Sequence, residues 1–115
     1  MVNSMIQVNY DAISDEFFVN YLNFLISKVF KILPISEQEP DTLRDYLDSL
    51  IIELKGSQSL IIKIKHDASF ISLLGILQYF AENQCSHKVY KREVFKAINI
   101  IQSLQEKYFK KEEIK

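Results

Sequence analysis

Between Phe17 and Leu33 the apolar side chains, placed at 100° per residue, sweep roughly 240° of a helical wheel. The polar remainder, Asn20, Asn23, Ser27 and Lys31, forms one narrow strip, and Lys28 alone intrudes on the apolar side. An ordinary surface helix buries one stripe, whereas this one must be covered from several directions, by its own domain or by a second copy. The lysines, asparagines and serine within it argue against a membrane span. Ser14 stands before Asp15 and Glu16 as an N-cap followed by first-turn acids that favour the helix dipole. The pattern predicts a first helix over about 15–33. Pro34 ends it, because the residue before a proline is pushed out of the α region.

Upstream, Ile6-Gln7-Val8-Asn9-Tyr10 alternates with period two, which suits a short extended arm over 1–14. Downstream, Ile35 to Pro40 reads as a polar connector and Asp41 as the next cap. Leu43, Leu47, Leu50 and Leu54 then recur at helical spacing, widened by Tyr46 and Ile51, which predicts a helix over 41–55. Gly56 stands where a left-handed residue would close it. Residues 57–66 stay open: Leu60-Ile61-Ile62-Lys63-Ile64-Lys65 is β-branched and alternates at its end, yet Leu60 and Ile64 also have helical spacing. If extended, this stretch would pair with the N-terminal arm.

Asp67 predicts the cap of a third helix over 67–83, with Phe70, Leu73, Leu74, Leu77, Phe80 and Ala81 as its main stripe and Ile71 and Ile76 at the margins. Gly75 lies off that stripe, either permitting close backbone approach or simply tolerated. A fourth helix over 87–110 places Val94, Ala97, Ile98, Ile101, Leu104, Gln105 and Tyr108 on one face. Lys88, Arg92, Lys96, Asn99, Ser103, Lys107 and Lys110 fall on the other. The fold class expected is all-α, an antiparallel four-helix bundle-like domain over 15–115.

Composition supports this. In 115 residues there are two Gly and two Pro, too few for the many turns of an all-β protein or for a glycine-rich phosphate loop. Cys85 is the single cysteine, so no intramolecular disulfide framework exists. The start, Met1-Val2-Asn3-Ser4-Met5, has neither basic n-region nor apolar h-region, so a cytoplasmic location is expected. Lysine far outnumbers arginine, and Ile and Asn are abundant, as an A/T-rich bacterial genome tends to encode. The net charge of −1 is uneven: residues 1–59 carry nine acidic and four basic side chains, residues 87–115 four acidic and eight basic. Such polarity can steer association, including head-to-tail or antiparallel self-association.

Candidate chemistry is sparse. Cys85-Ser86-His87 brings a thiol and an imidazole close in sequence, but a metal would need further ligands and a nucleophile a third, orienting group. His66-Asp67 resembles a dyad only on paper, since Asp67 is needed as a cap. No catalytic, metal or cofactor site is expected, and no enzyme activity. Lys88, Lys91, Arg92, Lys96 and Lys107 form a face that an anionic partner could use, with Tyr90 or Phe95 to stack a base if that partner were nucleic acid. The interrupting Glu93 and Glu106 and a pI near 6.1 weigh against nucleic acid. Exposed apolar surface is to be sought at Phe18, Phe30, Tyr79, Phe95 and Phe109.

The expectation is therefore a protein–protein interaction module. A homodimer is expected, with the first helix at its seam and Phe18, Leu22, Ile26, Val29 and Phe30 forming the partner or self-association surface. A nucleic-acid-binding regulator, or a small subunit of a nucleoprotein complex, is the alternative. An immunity or inhibitor protein presenting Asp41, Asp45 and Asp48 is a third, by fold-level analogy.

Overall fold

The Ser14 hydroxyl accepts a hydrogen bond from the Phe17 N–H at 3.0 Å, which starts helix α1, Asp15–Phe30. The computed structural model describes residues 14–114, and side chains through Tyr108. The expected extended arm over 1–14 lies, apart from Ser14, outside the described residues. Pro34 does not end α1 where expected. The chain turns earlier, at Lys31, and resumes as α2, Ile32–Gln38, with Pro34 in its first turn. Proline supplies no N–H to the carbonyl four residues back, at Phe30, and its ring crowds that carbonyl. The break therefore falls one turn upstream of the proline. At the third position of a new helix the missing N–H costs nothing, since the first four have no intrahelical partner.

The predicted polar connector is thus mostly helical. Pro40, not Asp41, opens α3, Pro40–Leu60, where its fixed φ is pre-organised for the first helical position. Glu39 occupies the cap position without a side-chain bond, and Asp41 is a first-turn acid. Gly56 does not close this helix. It sits inside α3 with a negative φ, and a Cβ built there meets nothing within 4 Å. Leu43, Leu47, Leu50, Ile51 and Leu54 keep their apolar stripe buried, which carries the helix through the glycine. Gly56→Ala is expected to raise stability by about 1 kcal/mol, measured by urea denaturation. A loss would mean that the residue needs a left-handed backbone.

No strand occurs among the described residues. The undecided stretch continues α3 to Leu60, turns at Ile61 and forms one helical turn, α4, Ile62–Lys65. Asp67 then caps α5, Ala68–Glu82, accepting from the Phe70 N–H at 3.0 Å. Ser86 caps α6, His87–Ile114, through the Val89 N–H at 3.3 Å. An added Cβ at Gly75 likewise meets nothing within 4 Å, so no close backbone approach explains that glycine.

The helices form an all-α, antiparallel bundle-like domain. Phe18 meets Tyr108 edge-on at 5.0 Å while Phe30 meets Phe95 at 6.4 Å, so α1 and α6 run in opposite directions. Phe80 against Tyr90 sets α5 antiparallel to α6. Packing proceeds from α1 to α6, to α5, to α3, with α2 wedged between α3 and α6. The core runs through all of them, from Phe18, Leu22, Leu25 and Val29 to Leu47, Leu54, Ile64, Phe70, Leu77, Ala97 and Ile101. The thinnest dimension is 21 Å, the thickness of two helices. In so thin a body every helix keeps an outward face, and among the described residues nothing covers that of α1, where Phe17 and Phe24 are exposed.

Candidate interaction surface

The fourth side of the bundle, between α1 and α3, is closed less tightly than the others. Long side chains bridge it. The Tyr21 hydroxyl donates to Ser57 Oγ at 2.6 Å, the Tyr46 hydroxyl donates to the Lys28 carbonyl at 2.6 Å, and Lys28 Nζ pairs with Glu53 at 2.7 Å. The Lys28 carbonyl lies in the last turn of α1, where intrahelical donors run out. Burial pushes the phenols of Tyr21 and Tyr46 above their usual range, and the negative charge of Glu53 adds to it. Both hydroxyls therefore stay neutral donors at physiological pH.

Between these bridges lies a groove of about 410 Å³ lined by Phe24, Lys28, Lys31, Tyr46, Leu50 and Glu53. Its α1 wall belongs to an outward stripe made of Phe17, Asn20, Phe24, Ser27 and Lys31. Phe17 is 62% and Phe24 69% exposed. The spacings of three and four residues are those of a helix-pairing seam. The polar strip read from the sequence is thus outermost, and two phenylalanines stand with it.

Of the residues expected at a partner surface, Phe18, Leu22 and Val29 are instead fully buried in this chain's own core. Packing against α6 accounts for them. Ile26 is half-buried, and Phe30 is exposed and paired with Phe95 at the α1–α6 junction. Tyr79 is exposed on α5, and the Phe109 side chain lies outside the described residues. Phe17 and Phe24 were missed as surface residues because periodicity gave the apolar arc without saying how much of it the domain would cover. The narrow polar strip was the available signal, since its flanks must lie near solvent.

The expected basic face is exposed on α6 but already partly neutralised. Arg92 pairs with Glu93 at 3.0 Å, and Lys107 lies 3.7 Å from Asp67. Lys88, Lys91 and Lys96 have no carboxylate within 4 Å among the described residues. Arg92 and Lys96 border a shallow depression of about 510 Å³ between α5 and α6, alongside Gly75, Ile76 and Tyr79. Asp41, Asp45 and Asp48 are exposed on α3, Asp48 within 3.5 Å of Arg44.

His87 faces Glu37 at 3.4 Å. Burial first, and then the charge of Glu93, push the Cys85 thiol above its usual range, away from the thiolate that nucleophilic attack or metal ligation requires. Among the described residues no three His, Cys, Asp or Glu side chains gather as a metal site.

By length and composition, Asp15–Gln38 taken as one stretch is apolar enough to cross a membrane, and a third of its most apolar 18-residue window is buried. In this fold the stretch is broken at Lys31, and two of its polar side chains are tied into the domain. Gln105 donates to Asn23 Oδ1 at 2.7 Å and to the Val19 carbonyl at 3.1 Å, and Lys28 is held by Glu53. Compared with protein-family models, curated proteins and solved structures, the chain matches none of them.

Proposed function

We propose that this protein is a helical interaction module that binds another polypeptide through the outward face of α1 and the adjoining groove. The observation that carries this reading is the exposure of Phe17 and Phe24 on one stripe beside a groove floored by Leu50 and Tyr46. Isolated apolar side chains on a surface need no explanation, but two exposed aromatic anchors seven residues apart on one helical stripe beside a groove match the spacing by which helices dock. Covering two exposed phenylalanines would contribute about 1.5–3 kcal/mol each for full burial, enough to anchor a modest interface.

The basic face of α6 gives a nucleic-acid reading less support, because two of its five cations already face carboxylates. Phosphate tracking depends on cations free to displace counterions.

A photo-reactive amino acid at position 24, with position 69 on α5 as the exposed control, tests the proposal in cells that make the protein. The expected result is a polypeptide adduct from position 24 and none from position 69. Absence of any polypeptide adduct at position 24 overturns the reading.

A further inference from the structure

Resting on that reading, we infer that the occupant of the α1 face is a second copy of the same chain, laid antiparallel with Phe24 at the two-fold axis. Four charged residues stand on or at the end of α1. Two are engaged within the chain: Asp15 with Lys63 at 3.1 Å and Lys28 with Glu53 at 2.7 Å. The other two, Glu16 and Lys31, are exposed and have no opposite charge within 4 Å among the described residues. They stand at the two ends of the outward stripe, about 22 Å apart along the axis, with Phe24 almost midway.

An antiparallel copy in that register sets Glu16 of each chain beside Lys31 of the other. It also sets Phe24 against Phe24 beside the two grooves floored by Tyr46 and Leu50. Because a two-fold interface uses the same patch twice, one complementary pair becomes two. The helix ends are complementary as well, since the positive end of one α1 lies against the negative end of the other. A parallel pairing would instead set like charges together. The chain's net charge of −1 imposes little repulsion between copies. A single helix of this length offers a contact at the small end of stable interfaces, so the dimer is reversible and dissociates on dilution.

Sedimentation equilibrium over a wide concentration range tests this, with circular dichroism confirming that each variant folds. E16K and K31E are each expected to weaken the dimer about tenfold, by turning two attractions into repulsions. The double variant E16K/K31E is expected to return to within about twofold of the wild type, because reversing both members restores both pairs. Oxidation of F24C in a C85S background is expected to give a disulfide-linked dimer, as a residue on a two-fold axis meets its own copy. A monomer at every concentration, single reversals without effect, or a double variant no better than the singles would each overturn the inference. A cross-link from position 24 to a different polypeptide, with no dimer, would overturn the second-copy assignment and leave the interaction reading standing. Absence of any polypeptide cross-link would remove both.

Discussion

Phe18→Ala lowers the unfolding free energy by about 3–5 kcal/mol, the largest loss expected from any single truncation here. Phe18 has no exposed surface, and its ring meets Tyr108 edge-on at 5.0 Å and stacks on Tyr21 at 6.5 Å. It therefore joins the start of α1 to the far end of α6 and to the Tyr21–Ser57 bridge toward α3. Removing the ring forfeits its transfer free energy and leaves a cavity that three helices would have to collapse to fill. Loss of the edge-on aromatic contact adds about 0.5–1.5 kcal/mol. A domain of this size has about 5–15 kcal/mol in total, so the variant populates unfolded chain measurably at room temperature. Urea denaturation followed by far-UV dichroism gives the difference directly. A loss below about 1 kcal/mol, the level of an ordinary point mutation, would mean that Phe18 is not at the centre of the core. Phe17→Ala is the control: the neighbouring ring is exposed and its removal leaves the monomer's stability nearly unchanged.

The same neighbours show what could be read from the chain and what could not. The four main helices were legible because their signals are local: Ser14 and Asp67 cap as their side chains suggest, and the leucines of α3 recur at helical spacing. The boundaries were less legible because proline and glycine act through context. Pro34 signals a stop by its local chemistry, yet its missing N–H is harmless once the chain has turned at Lys31, so it lies inside the next helix. Gly56 has the local signature of a C-terminal residue, but the buried stripe that precedes it outweighs the roughly 1 kcal/mol that a helical glycine costs.

The surplus of apolar surface on α1 was legible, since no polar residue relieves the arc. Which of its residues the domain would take was not, because that depends on where α6 lies across it. Hence Phe18, Leu22 and Val29 went to the core, and Phe17 and Phe24 to the outside. The groove between α1 and α3 left no trace in the sequence at all. It follows from the bridges that Tyr21, Tyr46 and Lys28 make to residues some 18 to 36 positions away.

Ile64→Ala carries the second-largest expected effect and bears on the stretch that periodicity left open. Ile64 is fully buried, while Ile62, two residues earlier, is 58% exposed. On a strand, residues two apart share a face, so both isoleucines would be buried together. On a helix they stand about 200° apart, and only one reaches the core. The helical turn is held by the Lys63 carbonyl, which accepts from the Tyr108 hydroxyl at 3.4 Å, and by the Lys63–Asp15 pair at 3.1 Å, which together fix Ile64 inward. Truncation of Ile64 is therefore expected to cost about 2–5 kcal/mol, against less than about 0.5 kcal/mol for Ile62→Ala, the level of a surface change. The pair of denaturation midpoints separates the two geometries. Equal losses at 62 and 64 would point to an extended segment with both side chains on one buried face. A loss confined to 64 requires the single helical turn that carries the chain from α3 into α5.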